Sequence, residues 1–123
     1  METTLESLTE NEFEIINALY NRERAISSRN IQGEIALRHL RAAGKESKKI
    51  ETIERNINTA RNIGANVPGY TTINKLLSAL KNTAFVAERE VGKGERAKYV
   101  YFIKPAAREY IGKYMEKNKI FGD

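Results

Sequence analysis

The side chains best suited to chemistry are short polar and basic ones between positions 70 and 98 of the 123-residue chain. An Asn amide can both donate to and accept from an adenine edge, so Asn74 is the strongest candidate for a base contact. Hydroxyl groups, helix N-terminal amides, Lys and Arg all suit phosphate. The full set expected to contact a nucleic acid is Tyr70, Thr71, Thr72, Asn74, Lys75, Ser78, Lys81, Arg89, Lys93, Arg96 and Lys98.

Residues that could support catalysis or bind a metal are scarce. The chain has one histidine, His39, no cysteine, and a single aspartate at position 123. Acid-base and nucleophilic catalysis at neutral pH usually need more titratable or nucleophilic groups than these. We therefore predict a protein that is not an enzyme and that has no cofactor and no metal site, with His39 in a structural role.

Charge is unevenly distributed along the chain. Five acidic and no basic residues occupy the first 14 positions, whereas the rest of the chain carries all 21 Lys and Arg against 11 acidic residues. A basic body favours a polyanionic partner, and the acidic N-terminus could engage a protein partner. The alternative interpretation is an ordinary basic surface with no bound partner.

The sequence also bears on the compartment. No apolar run approaches the roughly 20 residues that span a bilayer, and the acidic N-terminus does not resemble a signal peptide. The absence of cysteine is typical of a reducing compartment. We expect a cytoplasmic protein with no membrane partner.

Hydrophobic spacing predicts three helices in the first half of the chain. Thr9 caps the first, which ends near Asn21, and Ser27 or Ser28 caps the second, which Gly44 ends. Ala25-Ile26 between them is an edge strand at most. The third helix is predicted to open at Ser47 and to bury the stripe Ile50, Ile53, Ile57, Ala60 and Ile63.

Residues 64–69, rich in Gly and Pro, separate these helices from a fourth. Thr71 or Thr72 is expected to cap the fourth helix. Two β-rich segments, 85–91 and 97–104, flank a Gly-containing tip and predict a hairpin. Pro105 then suits the first position of a last helix. The apolar side of the fourth helix is Ile73, Leu76, Leu77 and Leu80.

Ala60, Gly64, Ile73 and Leu76 supply, in order, a small residue, a turn residue and two apolar residues that lock one helix on another. This order resembles a helix-turn-helix. Residues 76–89 and 99–111 are similar in layout to the reading helix, wing strands and C-terminal helix of winged-helix regulators of the MarR and PadR groups. The resemblance covers residues 47–114 and implies that the helix over 71–82 enters the DNA major groove while the basic hairpin contacts the backbone.

The predicted fold is therefore mainly α with a small β-hairpin (α+β), a winged helix-turn-helix of about five helices and a two-stranded wing. Residues 1–8 form an acidic leader, either disordered or folded, residues 9–104 form the winged helix-turn-helix domain, and residues 105–123 form a C-terminal helix. The helix around 28–43 is additional to the three that a minimal winged helix needs.

The last helix carries an apolar stripe, Tyr110, Ile111, Tyr114 and Met115. It covers the domain's own core or forms a dimer seam, and we favour the seam because palindromic half-sites need two reading helices.

The resemblance implies a sequence-specific binder of double-stranded DNA that acts as a homodimer. Its role is that of a transcriptional regulator or of a DNA-partition site binder, similar to the PadR-like centromere binders of plasmid segregation. The alternatives are a winged-helix protein-interaction module and a non-specific architectural DNA-binding protein.

Overall fold

The computed structural model describes residues 4–92 and 98–118. Within them, five α-helices and a two-stranded antiparallel hairpin follow one another in the predicted order, so the mainly helical α+β layout is confirmed. The strands are β1 (Val86–Val91) and β2 (Lys98–Ile103), and a single 3-10 turn (Leu5–Ser7) precedes the first α-helix. The helices are α1 (Glu10–Tyr20), α2 (Ser28–Ala42), α3 (Ile53–Asn62), α4 (Tyr70–Leu80) and α5 (Pro105–Lys117).

The first two helices begin and end where the sequence predicts. Thr9 Oγ1 accepts a hydrogen bond from the Glu12 amide while the Glu12 carboxylate accepts one from the Thr9 amide, which satisfies two amides at the start of α1. Ser27 Oγ caps α2 by accepting one hydrogen bond, from the Asn30 amide. Gly44, at a φ of +67°, follows α2 in the left-handed conformation that ends many helices.

The third helix begins later than predicted. Thr52, not Ser47, caps α3 by accepting from a first-turn amide. Ser47 instead accepts from the Lys49 amide within a turn, at 3.1 Å. Ile50 is fully exposed and Ile63 is 43% exposed, so neither belongs to a buried stripe. The prediction was wrong because apolar spacing does not determine which hydroxyl caps a helix.

The fourth helix begins at Tyr70, with Gly69 at its N-cap and no side-chain cap, so neither Thr71 nor Thr72 caps it. Its inward face is as predicted: Ile73, Leu77 and Leu80 are buried and Leu76 is partly buried.

The helix that packs most closely against α4 is α2, with a smaller contribution from α1. α3 packs on α2 instead, where the missing side chain of Gly33 admits Ile53; a Cβ at Gly33 would lie 3.1 Å from the Ile53 side chain. α3 and α4 thus both make their main contacts with α2, and Ala60, predicted to lie where α3 and α4 cross, is buried. Gly64 ends α3 at a φ of +88°, but the chain then crosses to α2.

The hairpin is linked to the segment before α2 through its second strand, β2. β1 and β2 pair with Val86 opposite Ile103 and Val91 opposite Lys98. Ile26 forms an isolated antiparallel bridge with Tyr101 on β2, so the segment predicted to be an edge strand at most contributes a single bridged residue. This bridge places the start of α2 beside the hairpin.

One hydrophobic core connects the helices, the hairpin and the N-terminal turn. Leu5 is only 2% exposed, so part of the acidic leader packs on this core. The largest fully buried side chains are Leu5, Ile15, Ile16, Leu19, Ile31, Ile35, Leu40, Ile73, Leu77, Leu80, Val86 and Ile111.

Candidate nucleic-acid interface

The outer face of α4, defined as Thr71, Thr72, Lys75, Ser78 and Ala79, is exposed along its whole length. The helix contains no acidic residue. Within the described part of the chain, none of these five side chains makes a hydrogen bond or an ion pair. Four of the five were predicted to contact DNA, and the structure brings them together on one open surface.

Two side-chain hydrogen bonds fix the loop that leads into α4. Gln32 of α2 donates from Nε2 to the buried carbonyl oxygen of Pro68, at 3.0 Å. Arg61 of α3 donates from its guanidinium to the carbonyl oxygen of Val67, with the closer nitrogen at 2.9 Å. Because both carbonyls lie within three residues of Tyr70, these bonds determine where α4 begins.

Tyr70 and Asn74 lie on the side of α4 that faces α2 and the hairpin. Tyr70 is half exposed, and hydrogen bonds with Ser28 and Asn74, together with the nearby charge of Arg29, lower the pKa of its phenol. Asn74 is half-buried. The residue predicted to read a base edge is therefore engaged at the flank of the helix and lies outside the outer face.

Lys81 also lies toward the hairpin, where its ammonium group is 3.4 Å from the Glu88 carboxylate. The other oxygen of Glu88 accepts a hydrogen bond of 2.8 Å from the Tyr101 hydroxyl. Burial raises the pKa of Tyr101, and the Glu88 carboxylate adds to the effect. Lys81 thus holds the hairpin to α4 and is not a free cation.

A cleft of about 440 Å³ separates the N-terminal ends of α2 and α4 from β2. It brings together three predicted contact residues, Tyr70, Asn74 and Lys98. Two further lining residues, Arg29 and Tyr99, were missed by sequence reasoning. The signal for Arg29 was its place after the Ser27 cap, but its nearness to α4 depends on the pairing of Ile26 with β2.

Arg89, predicted as part of the same DNA-contacting set, lies elsewhere. It lines a separate cleft of about 330 Å³ with Arg22, Arg24 and Arg108. Lys93 and Arg96 lie outside the described residues.

The residues predicted to form a dimer seam divide into two pairs. Ile111 and Met115 are buried in the core of the domain, so they cover it and leave no side chain for a partner. Tyr114 is partly buried against Phe13, with ring centroids 5.7 Å apart. Tyr110 stacks on Phe85 and remains half exposed.

Among residues 4–92 and 98–118, no three His, Asp or Glu side chains are grouped so that they could hold a metal ion. None of the helices described is long and apolar enough to cross a bilayer. His39 is half-buried, with Nε2 3.3 Å from Oε2 of Glu14.

Comparison with known proteins adds no relative: no protein-family model matches the chain, and no curated protein or solved structure resembles it significantly.

Proposed function

We propose that this protein binds double-stranded DNA through the outer face of α4, which enters the major groove. The observation that carries the proposal is that this face is exposed, free of acidic residues and free of internal partners. An α-helix fits the major groove of B-DNA, and a face of short polar side chains can approach base edges closely.

The spacing on α4 suits base contacts. Thr71, Lys75 and Ser78 are four and three residues apart, so they follow one stripe along the helix. Lys can donate to the O6 and N7 of guanine, and Ser and Thr can donate to or accept from several edges. Ala79 and the methyl group of Thr72 could contact a thymine methyl.

Phosphate contacts would flank this stripe. Because Gly69 supplies no side-chain cap, the first-turn amides of α4 are free to donate to an anion. Arg29 and Lys98 both line the adjoining cleft and add positive charge to it. Contacts of this type would make the affinity fall with salt.

We propose further that the protein works as a cytoplasmic homodimer on paired half-sites, as a transcriptional regulator or a partition-site binder. The exposed Tyr110 ring is the part of the predicted seam that remains open to a partner.

Selection of bound duplexes from a random library, followed by sequencing, tests the proposal. We expect an enriched sequence, and we expect Lys75→Ala combined with Ser78→Ala to reduce preference for it by roughly tenfold or more, as loss of base contacts does. Lys117→Ala is the matched control, since it removes one exposed charge from the far end of α5.

Equal recovery of all sequences would indicate a non-specific architectural protein. Absence of duplex binding at moderate salt would contradict the proposal.

A second candidate, a protein-interaction module, has one observation in its favour. Val91 and Tyr99, on opposite faces of the hairpin, are 45% and 46% exposed, and an exposed apolar side chain of this size can mark a docking surface. If this candidate is correct, Val91→Ser combined with Tyr99→Ser abolishes partner capture, and no duplex sequence is enriched in the selection.

A further inference from the structure

Four arginines surround the cleft on the opposite side of the hairpin from α4. This arginine cleft, defined by Arg22, Arg24, Arg89 and Arg108, has a volume of about 330 Å³. Glu23 is the one acidic residue among those that line it. The lining therefore carries a strong excess of positive charge in a concave surface.

Two of the four guanidinium groups are held by the fold. Arg22 pairs with Glu34 of α2. Arg108 donates to the carbonyl oxygen of Arg22 at 2.8 Å and lies 5.0 Å from the centre of the Tyr20 ring. These contacts link the turn after α1 to the start of α5 and form the wall of the cleft.

The other two guanidinium groups are open. Arg24 and Arg89 are exposed, and neither makes a hydrogen bond or an ion pair with another residue in the described part of the chain. Arg89 projects from a paired strand, and Arg24 precedes Ile26, which is bridged to β2. Their backbones are thus fixed, while their planar donor groups are free for the bidentate contacts that arginine makes with phosphate.

The strand residues that line the arginine cleft differ from those that line the cleft beside α4. Tyr101 lines the cleft beside α4, whereas Phe102 lines the arginine cleft. Successive residues of a strand point to opposite faces of a sheet. The two clefts have no lining residue in common, and Arg89, opposite Val100 in the register, lies on the same face of the hairpin as Phe102.

We infer that the arginine cleft binds the phosphate backbone of a second DNA segment, so that one copy of the chain bridges two segments. The inference rests on the proposed function for the first segment, which α4 holds. It assigns the second segment no sequence preference, because guanidinium contacts with phosphates carry none.

A bridging assay tests this. One duplex that contains the selected site is fixed to beads. The wild-type protein and each variant are added at the same concentration, and the capture of a second, fluorescent duplex is measured. We expect the wild-type chain to capture it. Arg24→Ala combined with Arg89→Ala should reduce capture by roughly tenfold, the scale expected for the loss of two phosphate contacts, while binding of the first duplex is kept.

The matched control is Lys48→Ala combined with Lys49→Ala, which removes the same charge from the exposed loop between α2 and α3. This control should capture the second duplex as the wild type does. Because Arg24 and Arg89 are exposed, their loss should leave the helical circular dichroism unchanged, and Arg24→Glu alone provides a second variant if the double one does not fold.

Several results would overturn the inference. If the arginine variant captured the second duplex as well as the wild type does, the arginine cleft would not bind it. Two copies of the chain could then bridge the duplexes, each through its own α4. First-duplex binding with no capture by the wild type would refute bridging and leave the proposed function intact. If the wild type bound no duplex, both would fail. If the arginine variant lost self-association instead, the cleft would bind a second copy of the chain.

Discussion

α3 and α4 are neighbours in the chain and nearly equal in length, yet they are attached to the molecule differently. α4 buries Ile73, Leu77 and Leu80 and contacts both α1 and α2. α3 buries Ile57 and Ala60 and packs on α2. α4 therefore contributes three buried side chains to the shared core and contacts two helices, whereas α3 contributes two and makes its main contacts with α2 alone.

This difference shows why an exposed polar face on α4 is a better candidate for recognition than one on α3. A reading helix must be held rigidly while its outer side remains open. α4 has three buried anchors and two fixed carbonyls before its first turn, and its outer face has no internal partner. α3 has fewer anchors, and its exposed Arg55 is paired with Glu51.

The largest expected effect comes from removing an anchor of each helix. Leu77→Ala should lower the free energy of unfolding by about 2–5 kcal/mol, because the Leu77 side chain is fully buried in the core. Ile57→Ala should lower the free energy of unfolding by less, because this loss cannot exceed the free energy with which α3 packs on α2. Urea denaturation measures both, and Ile50→Ala, at an exposed site, is the control that should change stability by less than about 0.5 kcal/mol.

Equal losses of unfolding free energy for Leu77→Ala and Ile57→Ala would contradict the proposed difference between α4 and α3. They would mean that α3 is as much a part of the cooperative core as α4.

Hydrogen exchange should sharpen the comparison without mutation. Amides in the middle of α3 are expected to exchange roughly tenfold or more faster than those of α4, because α3 can open while the core stays closed. Mass spectrometry of peptides from the two helices after exchange measures this. Amides of α2 provide an internal reference and should be protected like those of α4.

Local patterns correctly predicted most of the elements of the fold. The caps at Thr9 and Ser27, the ending at Gly44 and the helix start at Pro105 all depend on residues close in sequence. The same holds for the inward side of α4. Each of these is set by hydrogen bonds or spacing within one or two turns, so sequence alone could predict them.

What sequence could not predict is how the helices meet. A small residue and a turn before α4 suggested α3 as its partner, but Gly33 lets α3 pack on α2, and the chain then crosses to bring α4 onto α2 as well. For the same reason, sequence alone did not predict where two residues of the candidate site lie. Asn74 was predicted on the outward face of α4 and Arg89 on the DNA-contacting hairpin, whereas Asn74 lines the cleft between α2, α4 and β2, and Arg89 lines a separate cleft with Arg24.

The start of α3 offers a smaller test. Thr52→Ala should cost about 1 kcal/mol, because it leaves a first-turn amide without its side-chain acceptor. Ser47→Ala is the matched control and should change stability by only a few tenths, since Ser47 lies in an exposed turn. A greater loss for Ser47→Ala than for Thr52→Ala would restore the earlier start that the apolar spacing predicted.

The smallest expected effect lies at the start of α4, which has no side-chain cap and where Tyr70 and Ser28 of α2 line the same cleft. Its hydrogen bonds with Ser28 and Asn74 favour the phenolate and lower the pKa of Tyr70 below the ordinary value of 10.0. A lowered pKa stabilises the fold above pH 10.0, and this contribution is lost as the pH falls through the lowered value. At neutral pH, Tyr70→Phe should therefore cost no more than about 0.5 kcal/mol, because the hydroxyl is half exposed.

The sharper readout is phenolate absorbance during alkaline titration. Tyr70→Phe should remove the part of the curve that rises earliest. Tyr101→Phe should leave that part in place, since burial raises the pKa of Tyr101. If the early rise survives in Tyr70→Phe, the phenol is not held by α2. The start of α4 would then be positioned by the hydrogen bonds from Gln32 of α2 and Arg61 of α3. Both helices would therefore fix the position of the outer face.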